Sequence, residues 1–166
     1  VGGGTLRDVL LGQLPVFWVV EPGYLIACVA VSAATFFLAH IPESRLAVVL
    51  RFDAIGMALF AVTGADKALA LGVGPLVAVA MGVVTATFGG VLRDILGGES
   101  PVILSREIYV TAALAGAVTF VVMASLGGTR DFALVFGFLV AAAVRLGALH
   151  WDWTLPRYRP RSERAR

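Results

Sequence analysis

The sequence predicts an all-α integral membrane protein, and three observations carry that prediction. Of the 166 residues, 59% are hydrophobic and 14% are charged, with a mean hydropathy of +0.91, whereas a soluble domain is about 45–50% apolar and about 25% charged. The apolar residues form long runs between turn signals. No stretch of about ten residues alternates with the period of two that a membrane β-barrel requires.

Five apolar runs are long enough to cross a bilayer, which takes about 20 residues. A shorter run at the start makes half a helix. Prolines and glycine-rich turns such as Gly72 to Pro75 and Gly127-Gly128 separate the runs, because these residues interrupt helices. The predicted segments are residues 1–14, 22–40, 46–71, 75–96, 108–126 and 132–151.

The basic residues predict the orientation. Five arginines lie in the last ten positions, and Lys and Arg beside a membrane span favour the cytoplasmic side. Nucleic-acid binding is the rival explanation of this tail, but no RNA-binding module accompanies it. We therefore expect a multi-pass protein of the cell (inner or plasma) membrane with a cytoplasmic C-terminus and no nucleic-acid partner.

Residues 3–21 and 89–107 are two copies of one unit, aligned without gaps and identical at ten of 19 positions. Gly3-Gly4 and Arg7-Asp8 recur as Gly89-Gly90 and Arg93-Asp94. An odd number of predicted crossings separates the copies, so they must face opposite ways across the bilayer. The sequence therefore predicts an inverted repeat.

The repeat predicts the domain organisation: two inverted three-helix repeats plus a seventh helix. The counterpart of the start of the second repeat would lie about 34 residues before Val1, so we expect an N-terminal helix and half of the next to be missing from this chain. The first, truncated repeat covers residues 1–50, the second 51–128, the seventh helix 129–153 and the basic cytoplasmic tail 154–166.

Glycine pairs next to charges mark the candidate site. Glycine costs about 1 kcal/mol in a helix, and a charge at mid-span costs about 2.5–3.5 kcal/mol. One interpretation is a helix broken near the midplane, with freed carbonyls around Thr85 and Thr87 facing a cation. The other is a glycine-packed crossing, in which each Arg and Asp pairs with the Asp and Arg of the opposite copy.

A second set of intramembrane polar residues comprises Asp53, Thr63, Asp66 and Lys67. Thr63 and Lys67 share a helix face, and Asp66 is within reach of both. The alternative without a functional role is that Lys67 lies near the end of a span and extends to water. We expect Asp8 and Asp94 to stay ionised, because an Arg of the same or the opposite copy lies within pairing distance.

Catalysis finds little support in the sequence. His40 and His150 lie at span ends without a neighbouring metal-ligating residue, and Cys28 has no obvious partner. We expect no enzyme activity, no resident metal and no cofactor, only permeant monovalent cations and a possible bound lipid.

Two contacts follow from the spacing of residues. The Val1 to Leu14 helix should lie near residues 91–96, since inverted copies meet at a pseudo-two-fold axis. Small residues on two later helices should let protomers associate closely. These residues are Ala112, Gly116, Gly137, Ala141 and Ala142.

The motifs GGGTLRD and FGGVLRD, with RFDAIGMALFAVTGADKAL between them, resemble the prokaryotic relatives of the trimeric intracellular cation channels, once grouped as a "glycine transporter domain" membrane family. The resemblance implies a homotrimer in which each protomer has its own pore, lined by glycine-kinked second and fifth helices, and conducts potassium and other monovalent cations. The kinks would fall at Gly3-Gly4 and Gly89-Gly90. The Lys-Glu-Val motif of animal members is absent, so lipid regulation through its lysine does not transfer.

The leading hypothesis is a monovalent-cation channel, because carbonyls and carboxylates supply several weak oxygen sites. A secondary transporter for a small solute such as an amino acid fits inverted repeats and broken helices equally well. A structural membrane protein without transport would leave the duplicated charges unexplained.

Overall fold

The computed structural model describes residues 1–38, 46–98, 108–151 and 153. Within them every regular element is an α-helix, as predicted. The predicted basic tail at 154–166, His40 and the last part of the second repeat copy, 99–107, lie outside the described residues. The helices are α1 (Gly2–Leu10), α2 (Phe17–Val20), α3 (Gly23–Leu38), α4 (Leu46–Ala70), α5 (Pro75–Gly97), α6 (Val110–Ser125) and α7 (Arg130–His150).

The helix ends lie close to the predicted ones because local chemistry sets them. Pro75 begins α5, where its missing N–H costs nothing. Gly98 ends it in the left-handed conformation, with φ of 71°, which favours glycine. The first segment differs from the prediction of a helix to Leu14. α1 ends at Leu10, and the chain turns into the short helix α2, which the sequence pattern did not predict.

The surface is apolar and the interior is built from small residues. Leu76 and Phe36 are each 83% exposed, whereas Ala61 and Ala65 are fully buried. Among the described helices, α5 (over residues 75–96) and α7 are long and apolar enough to cross a membrane by length and composition, and α3 and α6 are apolar but shorter. Large apolar residues outside and small ones inside are typical of helices packed in lipid.

Ion pairs reveal the relative directions of the helices. Arg93, near the end of α5, pairs with Asp53, near the start of α4. Asp8, near the end of α1, lies beside Lys67, near the end of α4. The two copies of the Arg-Asp pair therefore sit at opposite ends of α4, which is the inverted arrangement that the repeat predicts. We call these the Asp53 end and the Lys67 end of the bundle.

A further ion pair fixes α7 against α4. Arg130 begins α7, and its guanidinium donates two hydrogen bonds to Asp66, from Nε to Oδ1 at 2.8 Å and from Nη2 to Oδ2 at 2.6 Å. Because Asp66 lies at the Lys67 end of α4, α7 starts at that end and finishes at the Asp53 end. α7 thus runs antiparallel to α4.

α1 packs against α5 at very short range. A β-carbon added at Gly2 would lie 3.2 Å from Leu92 Cδ1, and one added at Gly3 would overlap the Thr85 carbonyl oxygen. The expected proximity of the first segment to residues 91–96 is therefore confirmed through Leu92. Glycine is required at Gly3 because any side chain would push the two helices apart.

The small residues expected to join protomers instead join two helices of one protomer, so that prediction is wrong. A β-carbon at Gly116 of α6 would lie 2.5 Å from Ala141 Cβ and 2.9 Å from the Gly137 carbonyl oxygen of α7. Ala112 and Ala141 are fully buried, and Ala142 is 8% exposed. The physical reason is connectivity: a tight turn at residues 126–129 makes α6 and α7 neighbours, and their small faces pack against each other.

Glycine packing at the centre of the bundle makes a matched prediction. A β-carbon at Gly82 would overlap the Ala61 carbonyl oxygen, whereas one at Gly56 meets open space. Gly82→Ala should lower the free energy of unfolding by about 1–3 kcal/mol, and Gly56→Ala should raise it by up to about 1 kcal/mol. Unfolding by sodium dodecyl sulfate in mixed micelles measures both. Equal stability of the two variants would contradict the close α4–α5 contact.

Candidate functional site

A cavity of about 750 Å³ lies between α1, α4 and α5. Both glycine pairs line it, Gly3-Gly4 from α1 and Gly89-Gly90 from α5. Asp53 and Lys67 of α4 also line it, and a rise of 1.5 Å per residue separates them by about 21 Å. The hydrocarbon core of a bilayer is about 30 Å thick, so the cavity extends along α4 for a length equal to most of that thickness.

Asp8 is the centre of the charged cluster at the Lys67 end. Its side chain is 1% exposed, and its Oδ1 accepts hydrogen bonds from Arg7 Nη2 at 2.7 Å and Nε at 2.9 Å. The backbone N–H of Phe17 donates to Oδ2 at 3.0 Å, and Lys67 Nζ lies 3.6 Å from Oδ1. One carboxylate therefore ties α1, α2 and α4 together.

Phe17 also provides an aromatic face for the cations of this cluster. Lys67 Nζ lies 5.4 Å and Arg7 Cζ 6.0 Å from the centre of its ring, within the range of cation–π attraction. The Arg7 side chain is 7% exposed, whereas that of Lys67 is 41% exposed. Arg7 is thus fixed in the wall, and Lys67 is the cation that faces the cavity.

Arg93 bridges two carboxylates at the Asp53 end. Its Nε and Nη2 lie 3.0 Å and 2.9 Å from Asp94 Oδ1, and its Nη1 lies 3.3 Å from Asp53 Oδ1. The Asp94 side chain is 2% exposed, but that of Arg93 is 56% exposed. The buried Asp94 therefore holds the Arg93 guanidinium on the side away from the cavity, and Asp53 pairs with it inside the cavity.

Tyr109, just before α6, closes the Asp53 end. Tyr109 is 5% exposed and lines the cavity together with Asp53. Arg145 of α7 is 1% exposed and lies with its Cζ 4.9 Å from the centre of the Tyr109 ring. Tyr109 and α7 thereby help to close the end of the cavity that Asp53 of α4 and Arg93 of α5 line.

The contacts decide between the pairings left open by the sequence. Each Asp accepts hydrogen bonds from the Arg that precedes it, Arg7 for Asp8 and Arg93 for Asp94. The alternative, in which each Arg pairs with the Asp of the opposite copy, is excluded by distance, because the two pairs lie at opposite ends of α4. Each copy is therefore a separate clamp.

The predicted break in α5 is absent, so that expectation is corrected. α5 is one α-helix from Pro75 to Gly97, through Gly89 and Gly90. Nor does either threonine hydroxyl mark a broken turn, because Thr85 donates to the Met81 carbonyl at 2.6 Å and Thr87 to that of Val83 at 2.9 Å. The glycines instead keep the cavity wall free of side chains, and Gly3 allows α1 to approach α5.

The structure brings most of the predicted site residues to one cavity. Thr87 is 6% exposed and faces away from the cavity, since it is two residues from Thr85 on the same helix. Asp66 pairs with Arg130 instead of Lys67 or Thr63, and Asp94 lies behind Arg93. The predicted residues that line the cavity are Gly3, Gly4, Arg7, Asp8, Asp53, Thr63, Lys67, Thr85, Gly89, Gly90 and Arg93.

Sequence reasoning missed three contributors to the site. Arg145 had a usable signal, because an arginine within a 21-residue apolar helix is costly and marks a functional position. Tyr109 carries no signal beyond that of an aromatic residue at the start of a predicted span, which is ordinary at a membrane interface. Phe17 had no signal, since its role rests on a backbone N–H and on the unpredicted helix α2.

The geometry can now be compared with known proteins. The sequence matches the profile of the family described as "Glycine transporter" over residues 1–40 and 50–125. It is 38% identical over 163 residues to the UPF0126 inner membrane protein YadS of Escherichia coli K12, covering 95% of this chain and 77% of that protein. A UPF0126 membrane protein of Vibrio cholerae is 38% identical over 160 residues. That match covers 95% of this chain and 66% of the length of the Vibrio protein.

The fold also resembles solved structures. The trimeric intracellular cation (TRIC) channel orthologue from Rhodobacter sphaeroides is 59% identical with a TM-score of 0.88, covering 92% of this chain and 79% of that one. The chain belongs to the TRIC channel family. A second structure, described in a study of conductance through TRIC cation channels, is 36% identical with a TM-score of 0.88 over 96% of this chain and 78% of that one. TRIC membership agrees with the doubled Gly-Gly-x-x-Arg-Asp motif and makes this a multi-pass membrane protein.

The hydrogen bonds around Asp8 make a stability prediction for this TRIC protein. Asp8→Asn removes the charge that Arg7 and Lys67 share, and leaving a buried cation uncompensated costs about 3–5 kcal/mol. Glu21→Gln is the matched control, because Glu21 also lines the cavity but is exposed, and it should change stability by less than about 0.5 kcal/mol. Unfolding in mixed micelles again provides the measurement. Asp8→Asn with the stability of the Glu21→Gln control would refute the clamp.

Proposed function

We propose that this protein is a monovalent-cation channel whose pathway follows the cavity between α1, α4 and α5. The observation that carries the proposal is the extent of the cavity along α4, from Asp53 to Lys67, over a length equal to most of the hydrocarbon thickness. Oxygen atoms of Thr63, Thr85 and Asp53 lie along it. Oxygen ligands spread singly along a path bind an ion weakly at several sites, which conduction requires.

Two flexible cations control the path in this proposal. Lys67 and Arg93 have half-exposed side chains, while the carboxylates that hold them, Asp8 and Asp94, are buried. A permeating cation needs these positive groups to move aside. When Arg93 leaves Asp53 and stays bound to Asp94, the Asp53 carboxylate is released to face the ion, so the same motion opens the path and uncovers an oxygen ligand.

The finer features rest on the relatives. TRIC structures are described as trimeric intracellular cation channels, and we extend to this chain a homotrimer with one potassium-permeable pore in each protomer. The position of the cavity supports this, because it lies within one protomer between α1 and α5, the elements that carry the repeated glycines. A pore of this kind needs no catalytic group and no resident cofactor.

A secondary transporter for a small solute such as an amino acid is the second candidate. The inverted arrangement of the two Arg-Asp pairs favours it, since many transporters are built this way, and so does the description of the matching family as a glycine transporter. The continuous α5 weakens it, because transporter sites typically use discontinuous helices.

Recording from single molecules in planar bilayers separates the two candidates. A channel gives discrete current steps in symmetric potassium chloride, because ions flow for as long as the path is open. An alternating-access transporter carries too few charges in each cycle for resolvable steps and instead shows saturable uptake of its solute into vesicles. Glycine uptake into vesicles without unitary currents would reject the channel.

Asp53 provides the sharpest test of the pathway. Asp53→Asn should lower potassium conductance about fivefold, since a unit charge about 4 Å from an ion in water contributes about 1 kcal/mol. Asp66→Asn is the matched control: the same change on the same helix, at a carboxylate that faces Arg130 of α7, should leave conductance unchanged. Single-channel conductance at fixed potassium concentration is the measurement. Equal effects of the two variants would place the pathway elsewhere.

Arg93 should act with the opposite sign. Arg93→Gln removes a positive charge from the cavity and leaves the Asp53 carboxylate unoccupied, so single-channel conductance or open probability for potassium should rise. Asp94→Asn should lower conductance, because it loosens the anchor of Arg93 and leaves that cation less compensated. If both variants instead reduce only the yield of assembled protein, the pair is a structural clamp without a role in permeation.

A further inference from the structure

A second concave site lies outside the cavity, between the first described turns of α4 and the last two turns of α7. It is a groove of about 690 Å³ at the Asp53 end of the bundle. Leu50 and Arg51 form one wall, and residues of α7 up to Trp151 form the other. The groove shares no residue with the cavity, so a role for it stands or falls separately from the proposed conduction.

The chemistry of the groove changes along its depth. Leu50, Leu146 and Leu149 give it an apolar floor, and Arg51 and His150 give it a polar rim. Arg51 is exposed, and among the described residues no carboxylate forms an ion pair with it. A cation at the edge of an apolar groove in a membrane protein matches a molecule with an anionic head and apolar chains.

Aromatic side chains place this rim at the membrane surface. Trp151 and Trp153 stack with ring centres 5.4 Å apart and interplanar angle of 19°, and His150 meets Trp151 edge-on at 5.1 Å. Tryptophan is enriched at the level of the lipid head groups. Gly147 makes room for this arrangement, because a β-carbon there would lie 3.1 Å from Trp151 Cζ3.

We propose that this groove binds an anionic membrane phospholipid, with its phosphate on Arg51 and an acyl chain along the leucine floor. Basic pockets between transmembrane helices on the cytoplasmic side bind anionic head groups in this way. The excess of arginines in the sequence assigns the Asp53 end to the cytoplasmic side, where α7 leads into a segment with five arginines in its last ten residues. Charge and position therefore agree on the same occupant.

The three tryptophans of the chain make the proposal directly measurable. Trp18 contacts Thr5 near α1, so a Trp18→Phe background leaves only Trp151 and Trp153, both at the groove. The full chain in phosphatidylcholine vesicles is titrated with phosphatidylglycerol carrying brominated acyl chains, which quench nearby tryptophan. The reverse titration uses brominated phosphatidylcholine in phosphatidylglycerol. We expect phosphatidylglycerol to bind about fivefold more strongly, the ratio expected for one basic residue at the membrane surface.

Two pairs of variants identify the site. Arg51→Gln should abolish the preference for phosphatidylglycerol, and Arg51→Lys should keep it. Ala143→Phe adds bulk inside the groove and should weaken quenching without a change of charge, whereas Val135→Phe introduces the same aromatic side chain elsewhere on the exposed surface of α7 and should have no effect.

Three results would overturn the proposal. Equal quenching by the two lipids would show that the groove does not select an anionic head group. A preference that survives Arg51→Gln would assign it to the general surface charge. Quenching by neither lipid would show that protein, such as a second copy of the chain, covers the groove.

Discussion

Helices in a bilayer gain little from hiding apolar side chains from one another, because lipid is as apolar as leucine. Their packing energy must come from contact, and contact is closest where side chains are smallest. This constraint explains why Ala61, Ala65 and Ala117 form the fully buried centre of the bundle. It also explains why a side chain at Gly82 or Gly3 would collide with a backbone carbonyl of the neighbouring helix.

Close packing at the glycines has a consequence for the charges. α1 approaches α5 closely at Gly3 and Thr85, and each Arg-Asp pair follows its glycine pair toward one end of the bundle. There α4 supplies the next polar group: Lys67 for Asp8 and Asp53 for Arg93. The space left between the two ends, walled by glycines, is the cavity. The permeation pathway proposed here is therefore a result of helix packing.

Fold and candidate site differ in how far the sequence predicts them. Hydropathy, proline and glycine mark the long helices, and the gapless repeat predicts that its two copies face opposite ways across the bilayer. These features are local or periodic. Whether the Arg-Asp pairs of the two copies meet was left open by the sequence. The ion-pair partner of Asp66 was not predictable, because Arg130 lies 64 positions away in the sequence. The pattern of residues in α7 does not determine how that helix is rotated about its axis toward α4. Phe17 was equally hidden, since its backbone rather than its side-chain type binds Asp8.

The use of small residues shows another limit of sequence reasoning. A stripe containing Gly116 or Gly137 predicts a close helix contact, but it does not say whether the partner belongs to the same chain. Here the short turn between α6 and α7 decides, because it holds the two small faces against each other within the chain. In the proposed homotrimer, the surfaces between protomers would then use the large apolar side chains left outside, such as Leu76, which a search for small-residue motifs passes over.

The two ends of the cavity are formed by equivalent segments of the repeat but differ in the polar side chains that α4 supplies. α4 serves both copies of the repeat, yet it offers a lysine to one and an aspartate to the other, so one Asp gains a second cation and one Arg gains a second carboxylate. Arg7 is consequently buried while Arg93 is half exposed. Tyr109, just before α6, and Arg145 of α7 reinforce the Asp53 end. Since α7 adds Arg145 to this end alone, a cation on the proposed pathway would meet two different barriers in sequence.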